Sequence, residues 1–399
     1  MYRTIARIGV SLCLLLLPML LAGCWSSQEI EDLAIYPGMA LDRGEPAPTE
    51  KEFEAKGGGY TKRDKVMVTV QIVPTKLIGT QDKNKGAAKR PYHNVSGSGD
   101  SVLEIFRQFS IRLDRPIIGH HLKVMIMSAD LLRKQTIEQV TDFVLRDNDI
   151  RPSTAVYITE GLAKDALITT EPNDIPAFHI IGMQRSLQRT SKVLNVVSLS
   201  KLDALMHSKK SFILQNLVTG GGEIALSGAS IIRGSTGHWI GSLDQEDTEC
   251  LAWLTGKGHS GAIKTYDWDN EPLTYEVKSM KSKIRSYVDG DTISFKVFIS
   301  TEGRLIETWN NSDTPSSNEF AEKAGQFVQE RLAQMMQKLM HDLQSKYKVD
   351  GAGFGDRLAI EHPAVWKRVK EDWDETFSRS KVSFSYKLKI TDFGSFTED

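Results

Sequence analysis

The sequence predicts an α+β protein of several domains, with central mixed or antiparallel sheets flanked by helices. Three observations lead there. At 399 residues the chain is long enough for two or three domains of about 100–200 residues each. Its first half alternates short apolar runs with helical patterns, which suits layered sheet and helix. Its second half is rich in period-two alternation and then carries one long amphipathic stretch. A hydrophobic fraction of 40% and an aromatic fraction of 8% supply real cores and argue against wholesale disorder. With 50 basic against 51 acidic residues, the chain is not a broadly basic nucleic-acid binder, and no nucleic-acid partner is expected.

The first thirty residues set the compartment. Arg3 and Arg7 make a short positive start. Residues 8–22 are uncharged and mostly apolar, and Leu21-Ala22-Gly23-Cys24 closes the run. This order of charge, apolar stretch and small residues is a secretory signal. Its ending resembles a bacterial lipoprotein signal. There the cysteine thiol takes a diacylglycerol and cleavage leaves that cysteine first. Residues 1–23 are therefore expected to be removed, and Cys24 is the expected lipidation site. An uncleaved anchor is the rival reading, because residues 8–28 are long enough to span. Pro18 and the terminal Gly23-Cys24 fit a cleaved signal better. Either way the body lies outside the cytoplasm and on a membrane. No other run approaches the eighteen apolar residues that mark a span.

Residues 43–65 contain Pro46, Pro48 and Gly57-Gly58-Gly59 and read as a loop. Residues 65–74 alternate as a strand. Residues 79–100 are polar and glycine-rich. A helix is expected over 98–113, with Asp100 near its cap. A buried strand follows at 122–127 and one helix at 130–146. Then come a strand at 153–159, a short helix at 161–169, and helices at 175–188 and 199–208. Asp174 and Ser198 are the expected caps of the last two. Thr219-Gly220-Gly221-Gly222 marks a break, and the main domain boundary is placed near it.

Residues 224–233 and 236–243 read as a strand pair, and 246–254 as a short helix. Residues 275–309 are β, with Asp289-Gly290 as a hairpin turn. The longest helix covers 318–347. A second helix covers 363–377, with Trp366, Val369, Trp373 and Phe377 on one stripe and Pro363 in its first turn. Val382, Phe384, Tyr386, Leu388 and Ile390 alternate cleanly in the last strand.

Chemistry-bearing motifs are scarce. His120-His121 would point to opposite faces of a strand and cannot easily share one metal. Gly351-Ala352-Gly353-Phe354-Gly355 resembles a phosphate loop but follows a helix, where a dinucleotide fold needs a strand, so it reads as a helix C-cap and flexible turn. Gly256-Lys257-Gly258 lacks the P-loop spacing. Cys250 reads as a buried inert thiol. Trp366 and Trp373 at helical spacing read as core before platform, and so does Met335. No catalytic, cofactor-binding or metal site is expected, and no cofactor. The expectation is a binding or scaffolding role and not an enzyme.

The chain resembles the Ger(x)C family, lipoprotein C subunits of spore germinant receptors. The resemblance begins at Gly23-Cys24-Trp25 and continues through Glu29-Ile30-Glu31-Asp32-Leu33-Ala34 and Pro37-Gly38-Met39-Ala40-Leu41-Asp42. Many members have Asp after the Trp, where this chain has Ser26. It resumes with His121 and Lys123, with Phe143, Arg146-Asp147 and Ile150-Arg151-Pro152. Near the C-terminus it returns with Asp350-Gly351, Phe354-Gly355, Pro363, Trp366, Trp373 and the alternating final strand.

The resemblance implies a lipid-anchored subunit on the outer face of the spore inner membrane. Its implied partners are an A-type membrane subunit and a B-type, transporter-like one. The family's three α+β domains suit a division into 24–219, 220–270 and 271–399. Cys24 is the one functional residue carried over. The polar segments 43–65 and 79–100 and the Met-bearing helix are candidate partner surfaces. The alternative reading, a solute-binding lipoprotein of an ABC importer, would need two similar α/β lobes around a cleft.

Overall fold

Uncharged runs become the buried strands. The structure is a computed structural model that describes residues 33–74, 90–258, 260–310 and 317–392. Met39-Ala40-Leu41 lies inside β1 (Ala34–Arg43), and Val124 to Ser128 is β5, buried along its whole length. A strand covered on both faces needs continuous apolar sequence, and these two lie side by side in parallel, Met39 opposite Met125.

Around them, in chain order, are α1 (Pro48–Ala55), β2 (Val66–Val73), β3 (His93–Gly99), α2 (Val102–Ser110) and β4 (Ile117–Ile118). After β5 come α3 (Ala129–Lys134), α4 (Ile137–Arg146), β6 (Ala155–Thr159), α5 (Pro176–Met183), β7 (Val197–Ser198) and α6 (Leu199–His207). The hairpin β8 (Phe212–Gly220) and β9 (Glu223–Ile232) is followed by β10 (Trp239–Leu243) and α7 (Gln245–Leu254). Among the described residues these strands form one ten-stranded sheet, ordered β10-β9-β8-β6-β5-β1-β2-β3, with β4 on β1 and β7 on β6. The β8–β9 pairing runs through Gly220↔Glu223, so the glycine run at 220–222 is the turn of a hairpin inside this sheet.

The second sheet is four-stranded: β11 (Gly261–Tyr266), β12 (Pro272–Asp289), β13 (Thr292–Thr308) and β14 (Lys381–Asp392), in that order. Asp289 pairs with Thr292 across a turn in which Gly290 has φ +58°, so the Asp-Gly hairpin forms as its sequence requires. β14 runs parallel to β13. A parallel return needs a long crossover, and the chain supplies α8 (Asn318–His341), α9 (Phe354–Glu361), α10 (Pro363–Val369) and α11 (Trp373–Arg379). The α+β expectation therefore holds, with two sheets and flanking helices.

The hydrophobic cores follow the sheets. One side of the large sheet packs Tyr36, Met39, Leu41, Phe109, Leu131 and Ile158; the other packs Ala40, Ile126, Tyr157 and Leu217. A third core joins the inner face of the small sheet to α7 and α8, through Cys250, Trp253, Tyr275, Phe295 and Leu332. It reaches Ala229, Ile231 and Leu243 of the large sheet.

Several local expectations are corrected. The 43–65 segment is not simply a loop, because α1 forms within it. The apolar stripe that would have revealed this helix is missing, since its one buried residue is Glu50. Residues 93–99 are a strand, so α2 starts only at Val102, capped by the Ser101 hydroxyl and not by Asp100. The helix expected over 130–146 is two, because Thr136 and Gln139 make a capping box that restarts it. Ile175 occupies the cap position of α5 without a side-chain bond, and Asp174 instead pairs with His179 at 3.1 Å. The helix expected over 363–377 is likewise α10 and α11, with a 3-10 turn at Lys370–Asp372.

Candidate functional site

Cys24 lies outside the described residues, as do residues 79–89 of the polar segment. What the structure does show is how it treats the remaining motifs, beginning with the glycine-rich turn.

The turn at 351–355 is not loose. Asp350 lies just ahead of it and is buried in its own loop. Its Oδ1 accepts from the N–H groups of Ala352 (3.2 Å), Gly353 (2.8 Å) and Phe354 (3.0 Å). Its Oδ2 accepts from the Gly355 N–H (2.6 Å) and from Trp373 Nε1 (2.8 Å). These donors include the first free N–H groups of α9, which favour an anion. Gly353 sits at φ +83° to close the curve, and a Cβ on Gly355 would meet Trp373 Nε1 at 2.6 Å. The resemblance to a phosphate loop thus has a physical basis. The anion in the loop is the protein's own carboxylate. Burial pushes the Asp350 carboxyl up, against the pull of the N–H groups.

This loop closes one end of a cleft of about 550 Å³ between the two sheets. The acids of the cleft are all engaged. Asp350 is in its nest, Asp374 accepts from Ser211 Oγ and from the Asp350 N–H, and Asp356 pairs with Lys210. Lys201, Lys257 and Arg357 also line it, and among the described residues none of the three has a carboxylate within ion-pair distance. Burial, then the neighbouring Lys201 charge, pulls the Lys257 ammonium down. Leu194, Leu205, Leu254 and Ile284 supply apolar wall. The arrangement offers charge recognition. Its described lining includes no histidine or cysteine.

A second polar cluster went unseen in the sequence. Lys62 is nearly sealed from solvent, its side chain 6% exposed, among Glu50, Glu54 (2.9 Å) and Asp64 (3.5 Å). Glu50 also accepts from the Ser98 N–H (3.0 Å) and Ser98 Oγ (3.0 Å). Burial acts to lower the Lys62 pKa, but hydrogen bonds to Glu50 and Glu54 outweigh it and hold the ammonium charged. The cluster staples α1 onto β3. Its members read in sequence as a solvated loop, and no local signal marks them otherwise.

The other candidates separate. His120 and His121 sit on a 3-10 turn (Gly119–His121) and not at a strand entry, with His120 Nε2 3.6 Å from Asp149. Burial and then Arg151 and Lys123 lower the His121 imidazole. Cys250 is fully buried and its thiol pushed well up by desolvation. Met335, Met336 and Met340 are all in the core, so that part of α8 is not a partner surface. Trp366 and Trp373 meet edge to face at 5.3 Å over the Asp350 loop, a packing role. Among the described residues no group of three or more His, Cys, Asp or Glu side chains is placed to hold a metal ion, and no helix is long and apolar enough to cross a membrane.

Comparison with known proteins gives the class. Residues 26–219 match the family model described as spore germination protein N-terminal domain, and residues 227–394 match spore germination B3/GerAC like, C-terminal. The chain belongs to the Ger(x)C family of spore germination proteins. Spore germination protein YndF of Bacillus subtilis is 37% identical, covering 96% of each chain. Spore germination protein B3 of the same organism is 26% identical, over 98% of this chain and 99% of its own. The crystal structure of the GerBC protein shares the fold, with a TM-score of 0.60 at 22% identity, covering 83% of this chain and 96% of that one.

Proposed function

We propose that this chain is a lipid-anchored, non-enzymatic C-type subunit of a spore germinant receptor. It is held at the outer face of the spore inner membrane by a diacylglycerol on Cys24 and assembles there with A-type and B-type membrane subunits. The observation that carries the reading is the end-to-end match to spore germination proteins, joined to a Leu21-Ala22-Gly23-Cys24 ending just ahead of β1. Nine residues separate Cys24 from Ala34, the first residue of β1. Fully extended they reach about 30 Å. Such a leash keeps the ectodomain beside the bilayer, so contacts with membrane partners become effectively intramolecular and weak interfaces suffice.

The importer reading needs two similar lobes, whereas here the two sheets are unequal, ten-stranded and four-stranded among the described residues. The anchoring test is Cys24→Ala in spores. The variant is expected to leave the inner-membrane fraction and to lose nutrient-triggered germination. A variant that stays membrane-bound and germinates normally would overturn the anchoring.

A further inference from the structure

The outward face of the small sheet is rich in lysine and poor in acid. Strands β12, β13 and β14 alternate, so Met280, Ile284, Phe295, Val297, Ile299, Phe384 and Leu388 point to the core. Their neighbours point out. Across the rows from Ser279 to Tyr287, Ser294 to Glu302 and Lys381 to Lys389, register places the outward residues as a grid. Lys281 is opposite Ser300 and then Lys387; Lys283 is opposite Phe298 and then Ser385; Arg285 is opposite Lys296 and then Ser383. Glu302 is next to Lys389, and Ser294 next to Lys381.

Lys281, Lys283, Lys296, Lys381, Lys387 and Lys389 are all exposed, and among the described residues none has a carboxylate within ion-pair distance. Arg285 is already paired with Glu361 at 3.1 Å. Within the grid Glu302 is the only acid. Serines fill most of the remaining places. Phe298 (39% exposed, with Lys296 over its ring at 5.1 Å) and Tyr287 (50% exposed) are the aromatics of the face.

We propose that this sheet face docks on an anionic phospholipid surface. The chain as a whole carries a net charge of −1, so the lysines are a local concentration and not the overspill of a basic protein. A basic grid with interfacial aromatics matches the chemistry of a headgroup plane, where clustered lysines gain from anionic lipid and rings sit at headgroup depth. The face would fix which side of the ectodomain meets the bilayer, which a single lipid anchor on Cys24 does not specify. This goes beyond the lipid anchor, and it is tested without it.

The test uses the mature chain from residue 24 carrying Cys24→Ala, cosedimented with phosphatidylglycerol-containing or pure phosphatidylcholine vesicles. Binding is expected for the anionic vesicles alone and should fade as salt rises through the physiological range. Lys281→Gln/Lys387→Gln/Lys389→Gln should weaken it by at least about tenfold. Lys51→Gln/Lys56→Gln/Lys134→Gln, on exposed lysines elsewhere, should leave it unchanged. Equal binding to both vesicle types, an unaffected triple variant, or retention on heparin or an oligonucleotide without vesicle binding would each overturn the proposal. A failure here leaves the Cys24 anchor untouched, because the protein tested lacks it.

Discussion

Glu50 and Asp350 are buried carboxylates that hold their segments by opposite means. Glu50 sits beside a buried cation, Lys62, and α1 is pinned to β3 by charge. Among the described residues Asp350 has no cation within ion-pair distance; four backbone N–H groups and the Trp373 indole take the load. Desolvating a carboxylate is severe unless it is matched. A cation match makes the segment depend on two side chains that must be buried together. A backbone match makes it depend on chain path, and so on glycines. Asp42 follows the second pattern in the large sheet, accepting from the Ala163 (2.6 Å) and Lys164 (2.9 Å) N–H groups to fix the turn behind β1.

Substitutions at each carboxylate separate the two devices. Asp350→Ala should have the largest effect, because it leaves a set of buried N–H groups without an acceptor. A loss of about 4 kcal/mol in chemical denaturation is expected. If that variant does not fold, the isosteric Asp350→Asn, which turns an amide N–H toward other N–H groups, should still unfold at lower denaturant than wild type. Lys62→Met should follow at about 3 kcal/mol, since it strands Glu50 without its cation. Adding Glu50→Gln to Lys62→Met should recover part of that loss, and no recovery would count against charge as the staple.

Glu249 supplies a third case, in which both devices fall short: the Lys192 charge and the Ala262 N–H pull its pKa down without offsetting burial. It is buried on α7, its Oε1 has no hydrogen-bond partner, and desolvation pushes its pKa up to about 7 from 4.5. Its folded pKa lies above its unfolded one, so the native state holds the proton longer. Stability from this group is intact below pH 4.5 and falls as pH climbs to about 7. Glu249→Gln should therefore stabilise by about 2 kcal/mol above neutrality and by almost nothing near pH 4.5. Equal gains at both ends would show that packing, not charge, is responsible. The smallest effect is at Gly353, whose left-handed φ should make Gly353→Ala cost about 1 kcal/mol in the same assay.

This contrast also explains what the sequence made legible. Alternation exposed β14, and three- and four-residue steps exposed α8, because both bury apolar side chains. α1 was invisible since Glu50, its one buried residue, is a charge. β3 was invisible because its glycines let Phe109 and Ile105 approach; a Cβ at Gly97 would lie 2.9 Å from Phe109. Periodicity could not locate the stop inside 130–146, which Thr136 sets through a polar cap. The Asp350 nest had a readable signal, an Asp directly before alternating glycines and a helix. It was masked by reading the glycines as flexibility. Nothing in the sequence could place Lys201, Lys257 and Arg357 in one cleft, since they come from segments far apart in the chain that only the packing of the two sheets brings together.

The proposed function requires this ectodomain to work as one subunit of a membrane receptor and not alone. A tagged full-length chain recovered from detergent-solubilised spore membranes tests it most directly. A-type and B-type germinant receptor subunits are expected to co-purify with it. Recovery of the chain without them, or with importer components in their place, would contradict it.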